Sequence, residues 1–318
     1  MTATASSPPQ NAAPTRGAAP TRGPWHVVAP FFAGVLAAAL AAAIYQVFVR
    51  TSLGQVVDTA AMRGADVHHP RVVEILNRTL NGTTLVSLVL VCVAAATLGV
   101  LRKRLDLAVG AALMVIGANG SALLLKNHLP RPDLDDFPAP NSFPSGHTTA
   151  AASVAFALIL VLPHAVRGLV TLIGSAYVAI IAVATVWAEW HRPSDTVAGL
   201  LVVLAWGGVI STVLRARRYR RPGPLARVNR LAKVPLLVVG AVSGVIGLVG
   251  LGAVVMSERV TADFVSGRFA FLAGSACITA AVAATFLIWV RLAAGDQPIS
   301  GTTGPDETDV VDSPGDGR

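Results

Sequence analysis

An all-α, polytopic membrane helix bundle is the fold class this sequence predicts, and three observations predict it. The 318 residues are 53% hydrophobic and only 13% charged, with mean hydropathy +0.63. A soluble domain carries about 25% charged residues. The apolar residues gather into eight runs of about 20 residues each, the length that crosses a ~30 Å hydrocarbon core. Finally, the net charge of +8 and the pI near 10.5 come from basic residues clustered beside those runs. There they fix topology and meet anionic headgroups, so membrane lipids are the expected partners and nucleic acid is not.

Each element follows in order. Residues 1–24 are rich in Pro, Ala, Thr and Ser without apolar periodicity, the pattern of a disordered tail. The tail is longer than a signal-peptide leader and the next run exceeds a signal h-region, so an uncleaved helix is expected at about 27–49. A loop of about thirty residues comes next; its His68-His69 pair reads as solvated rather than as a metal site. Runs at about 83–101, 107–125, 146–163, 169–187 and 196–214 complete a six-helix core over 25–214. The basic loop 215–233, RARRYRRPGPLARVNRLAK, separates this core from two additional C-terminal transmembrane helices within 234–291. Gly240, Gly244, Gly247 and Gly250 in the seventh run permit close helix packing. Residues 292–318 are Gly-rich and acidic and read as a second disordered tail. Cys92 and Cys277 both lie inside apolar runs and imply neither a disulfide nor a metal site.

Eight crossings place both termini on one side. That side carries 16 Lys and Arg against 9 on the other, so the positive-inside preference puts the tails in the cytoplasm of a plasma (inner) membrane. Two polar islands interrupt the apolar pattern: Lys126 to His147, KNHLPRPDLDDFPAPNSFPSGH, and Glu189 to Asp195, EWHRPSD. Two crossings separate them, so both fall on the extracytoplasmic face, at helix ends where headgroups and water reach their charges.

The islands hold the chemistry. Pro144-Ser145-Gly146-His147 opens the fourth apolar run. A helix start offers unpaired N–H groups and the positive end of the dipole, which favour a bound phosphate. Gly146 admits close approach of the backbone, and Ser145 can cap the helix or donate to a phosphate oxygen. Lys126 and Arg131 add fixed positive charge, and an arginine grips two oxygens at once. His147 is placed to protonate a leaving oxygen. In the second island His191 and Asp195 are four apart, so a carboxylate can hold one imidazole tautomer and free the other nitrogen for attack. Each element alone has a structural reading: Pro-Ser-Gly as a turn and cap, His191/Asp195 as an interfacial pair, Lys126 and Arg131 as interfacial anchors. Trp187 and Trp190 suit the headgroup belt, and Asp133, Asp135 and Asp136 read as solvated or paired with Lys126 and Arg131.

Taken together, these residues resemble the type-2 phosphatidic acid phosphatase superfamily, whose signature is K-x6-R-P, then P-S-G-H, then S-R-x5-H-x3-D. The resemblance makes the six-helix core phosphatase-like. It implies His191 as a nucleophile forming a phosphohistidine, Asp195 orienting it, and His147 as the acid. Lys126, Arg131, Ser145 and Gly146 would hold the phosphate, with no metal and no organic cofactor. The expected substrate is a lipid phosphate or polyprenyl (pyro)phosphate. Two departures stand out, and with the compositional hint of a GC-rich source they describe a divergent bacterial member. Lys126-x4-Arg131-Pro132 is two residues shorter than the family spacing, and Ala184-Thr185 stands where Ser-Arg is expected. Arg192, beside His191, is the candidate substitute for the missing guanidinium. The absent arginine also motivates a weakened or inactive lipid-phosphate binder as the second reading, with a lipid phosphotransferase on the same fold as a third. The oligomeric state is not legible in the sequence.

Overall fold

The computed structural model describes residues 25–65, 99–218, 230–259 and 265–294, together with residues 74, 78, 93, 94, 96 and 97. The N-terminal tail, His68-His69, Cys92, most of the second apolar run, residues 219–229 and the acidic tail lie outside the described residues. Among the described residues there is no strand, and the helices begin with α1 (Trp25–Ile44), α2 (Ser52–Arg63), α3 (Leu105–His128) and α4 (Gly146–Val161), with the loop 129–145 between the last two. The chain continues in α5 (His164–Trp187), α6 (Pro193–Arg218), α7 (Arg230–Arg259) and α8 (Gly267–Ala294). Among the described residues, six helical spans are long and apolar enough to cross a membrane, and α4 is a shorter apolar helix. The chain is a multi-pass membrane protein.

One element departs from expectation. The segment after the first run is not simply a loop, because it contains α2. Thr51, in extended conformation, caps α2 by accepting the Gly54 N–H at 3.1 Å. α2 buries Gln55, Asp58, Thr59 and Met62, positions that share one face of a helix. That face is largely polar, so its burial depends on hydrogen-bond partners rather than on apolar contact.

The two C-terminal helices are packed into the bundle. On α8, Trp289 stacks on Phe156 of α4 with ring centres 4.9 Å apart, and its indole N–H donates to the Phe156 carbonyl at 3.1 Å. Phe286 meets the same ring edge-on at 5.1 Å. The glycine stripe of α7 is used within the chain. A Cβ on Gly247 would lie 2.7 Å from the Cys277 backbone nitrogen, so α7 and α8 approach closely only with glycine there.

The two ends of the bundle differ in character. At one end arginines satisfy helix C-terminal carbonyls, which have no partner within their own helices. Arg102 donates to the Val161 carbonyl at 2.6 Å, Arg167 to Leu162 at 3.2 Å, and Arg215 to Leu292 at 2.6 Å. Arg218, at the end of α6, pairs with Asp106 of α3, which explains why α6 runs helically into the basic segment. The polar islands lie at the other end.

Candidate active site

Four helix ends meet there: the last turns of α3 and α5 and the first turns of α4 and α6. The start of α6 is built around Asp195. Arg192 occupies the capping position and Pro193 is the first helical residue, where a missing N–H costs nothing. Asp195, two residues on, accepts the Arg192 backbone N–H at 3.0 Å, the reciprocal half of a capping box. Arginine has no acceptor for the other half. Asp58 of α2 supplies it, accepting the Ser194 N–H at 3.1 Å and the Ser194 hydroxyl at 2.5 Å.

α4 begins beside α6. Ser145 caps it, its Oγ accepting the Thr148 N–H at 3.3 Å, while the Ser145 N–H donates to the Asp195 carbonyl at 2.9 Å. A Cβ on Gly199 would lie 2.9 Å from both the Ser145 carbonyl and Thr149 Oγ1, so glycine lets the two helix starts abut. Two positive dipole ends therefore converge at one point.

The fully buried Asp195 carboxylate gathers the remaining groups. Its Oδ1 accepts from Arg131 Nη2 at 2.9 Å, and its Oδ2 accepts from Ser142 Oγ at 2.5 Å. His191 Nδ1 stands 3.6 Å from the same Oδ2, within ion-pair range but beyond a hydrogen bond. The loop holding His191 closes on α5, where the Thr185 carbonyl accepts the Trp190 and His191 N–H groups at 3.0 and 3.2 Å. The His191 ring faces His147, the centroids 6.0 Å apart and the planes at 65°. Trp190 borders His147 at 5.2 Å. Lys126 is exposed on the last turn of α3, and a Cβ on Gly146 would meet nothing within 4 Å, so the α4 start is open. The buried Arg131 keeps Nε and Nη1 without a hydrogen-bond partner among the described residues. Two imidazoles, a buried carboxylate and the N–H groups at the open start of α4 form a site suited to a tetrahedral oxyanion.

Residues 85–219 match the family model of the PAP2 superfamily, a span that takes in both islands and ends at α6. The chain carries a PAP2 domain. Comparison with curated proteins and with solved structures gave no match. The PAP2 superfamily consists in general of phosphatases.

Within the PAP2 domain, Thr185 is fully buried, and its hydroxyl donates to the Ala182 carbonyl at 2.9 Å. Arg192 is also buried. Its Nε donates to Thr59 Oγ1 at 2.9 Å and its Nη2 lies 3.6 Å from Asp135. Asp135, expected to be solvated or to pair with Lys126 and Arg131, pairs with Arg192 instead and accepts from Thr59 at 2.5 Å, because Asp195 takes Arg131. Asp133 and Asp136 are exposed.

Sequence reasoning missed α2 as part of the site. Gln55 Nε2 donates to the Pro132 carbonyl at 2.6 Å, and its Oε1 accepts the Leu134 N–H at 3.3 Å, pinning the loop that carries Arg131. Arg63 lies over the Phe137 ring at 5.2 Å. The available signal was the spacing of Gln55, Asp58, Thr59 and Met62 behind a capping Thr51.

Asp58 yields a pH prediction. Burial first, and the neighbouring Asp195 second, push its carboxyl from 3.8 up to about 7, against the hydrogen bonds from Ser194. The folded protein thus binds the Asp58 proton more tightly than the unfolded chain does. The stability linked to it is fully present below about pH 4 and is lost as pH rises towards about 7. Asn at this position keeps an acceptor for the Ser194 N–H and does not titrate. The wild-type melting temperature should fall relative to Asp58→Asn across that window, measured in one detergent; parallel curves would contradict the assignment.

Proposed function

We propose that the chain is a membrane phosphatase that removes a phosphate from a lipid phosphate or pyrophosphate through a phosphohistidine. The meeting of His147 and His191 carries this reading, because ring centroids 6.0 Å apart leave the two imidazoles on either side of one phosphoryl group. Asp195 lies on the Nδ1 side of His191, so Nε2 is the attacking atom. A bond forms between Nε2 and the terminal phosphorus as the phosphorus–oxygen bond to the leaving group breaks. The leaving group is the lipid alcohol from a monophosphate and the lipid monophosphate from a pyrophosphate, and His147 gives its oxygen a proton. Water then attacks phosphorus, His147 accepts the water proton, and the P–N bond breaks to release phosphate and free His191. Lys126, Arg131 and the Ser145–Gly146 turn hold the phosphate oxygens, Arg131 through its unpartnered Nε and Nη1. Arg192 supports the site from behind, through Thr59 and Asp135.

The capping arginines at the far end of the bundle support an extracytoplasmic site in a plasma membrane with both termini inside, by the positive-inside preference. Phosphate release should be measured from proteoliposomes containing phosphatidic acid, phosphatidylglycerophosphate, or a polyprenyl mono- or pyrophosphate. At least one should be hydrolysed without added metal or cofactor. Thr185, in place of an arginine, favours a second reading, a lipid-phosphate binder without turnover. Saturable binding with no phosphate release from any of the four would select it.

A further inference from the structure

A cavity of about 200 Å³ lies among α1, α2, α6, α7 and α8. Only Pro193, Ser194 and Val197 of its walls belong to the PAP2 span; the rest come from outside residues 85–219. Small residues, among them Ala61, Ala270, Ala273 and Gly274, keep those walls apart. Its polar side chains besides the Cys277 thiol are Asp58 and Ser194, and the Asp58 carboxylate accepts the Ser194 hydroxyl at 2.5 Å and the Ser194 backbone N–H at 3.1 Å. A water there would find few partners, and an apolar cavity of about 150 Å³ stays dry yet admits benzene. Apart from α2, the walls are helices long and apolar enough to cross a membrane. Phe48, Leu251, Gly274 and Cys277 are only half-buried, so the cavity reaches the lipid-facing surface.

We infer that this cavity takes the hydrocarbon chain of the phosphorylated lipid whose headgroup occupies the His147/His191 site. The inference rests on the proposed phosphatase reading. Pro193 and Ser194 lie in the same short segment as His191 and Asp195, so one turn of chain separates the cavity wall from the reacting group. A Cβ on Gly274 would come within 2.9 Å of the Pro193 ring, so the cavity wall touches that turn directly. The added helices therefore read the tail while the PAP2 residues read the phosphate.

The test uses the full chain in nanodiscs with phosphatidic acid carrying a diazirine midway along one acyl chain. Phosphatidylcholine with the same chain is the control. Irradiation should label cavity residues such as Val254, Ala273 and Cys277 from phosphatidic acid, and excess inorganic vanadate should reduce that labelling. Ala273→Trp, or Val254→Phe if the first fails to fold, should raise KM for long-chain phosphatidic acid about tenfold. Turnover of the dihexanoyl form should be unchanged. Equal cavity labelling by phosphatidylcholine, labelling confined to outward-facing residues, or an equal loss on both chain lengths would overturn the inference. His191-dependent turnover without cavity labelling rejects the tail site alone. Cavity labelling specific to phosphatidic acid, without turnover, keeps the tail site and rejects the phosphatase.

Discussion

His191→Ala is expected to lower phosphate release by at least about 10³-fold, the scale of losing a covalent nucleophile while binding groups remain. The substitution removes a buried ring but breaks no hydrogen bond of that ring among the described residues. Its Nδ1 has no hydrogen-bond partner, and the loop is closed by backbone bonds to Thr185 that alanine preserves. The melting temperature should therefore change little and lipid-phosphate binding should persist. Added imidazole should restore part of the rate. His191→Ala activity within a few-fold of wild type would reject the nucleophile assignment.

The second large effect is expected at Asp195. Its carboxylate accepts from Arg131, from Ser142 and from the Arg192 backbone, and stands beside His191. Asparagine has one acceptor oxygen, so its amide group must face at least one of these donors. Breaking a buried ion pair by removing one partner costs about 3–5 kcal/mol, and loss of an orienting carboxylate costs about 10⁴ in kcat in a comparable triad. Asp195→Asn should therefore lose both activity and thermal stability. That separates it from His191→Ala, which should lose activity alone. Steady-state kinetics and thermal melts on the two variants, run side by side, check this contrast. A fully stable Asp195→Asn with kcat within tenfold of wild type would show that the carboxylate neither holds the helix start nor orients the imidazole.

Much of this architecture was legible because its causes are local. Runs of about 20 apolar residues have one solution in a bilayer. Pro144-Ser145-Gly146 announces a helix start from its own cap chemistry, and His191 and Asp195 share a turn by spacing alone. The hidden parts depend on contacts distant in sequence. Asp58 caps a helix that begins 135 residues later, Ser194 being the second residue of α6. The spacing of Gln55, Asp58, Thr59 and Met62 marks one helix face in SLGQVVDTAAMR, but a polar face reads as solvated until its distant partners are known. In the sequence, Arg131 is expected to grip phosphate, and Arg192 to stand in for the arginine missing at Thr185. Asp195 and Asp135 divide them, which leaves Arg131 with unpartnered N–H groups and Arg192 embedded against α2. The cavity was equally hidden, since its walls come from five helices and no single run carries its pattern.

The phosphoryl–imidazole bond itself is the most direct thing to measure. Purified protein in proteoliposomes, turning over a ³²P-labelled lipid phosphate, should be quenched in alkali within milliseconds, digested and sequenced by mass spectrometry. A phosphoryl group stable to alkali, labile to acid and located on His191 is the predicted result. Sustained turnover with no label on any histidine, or with the label on another side chain, would contradict it.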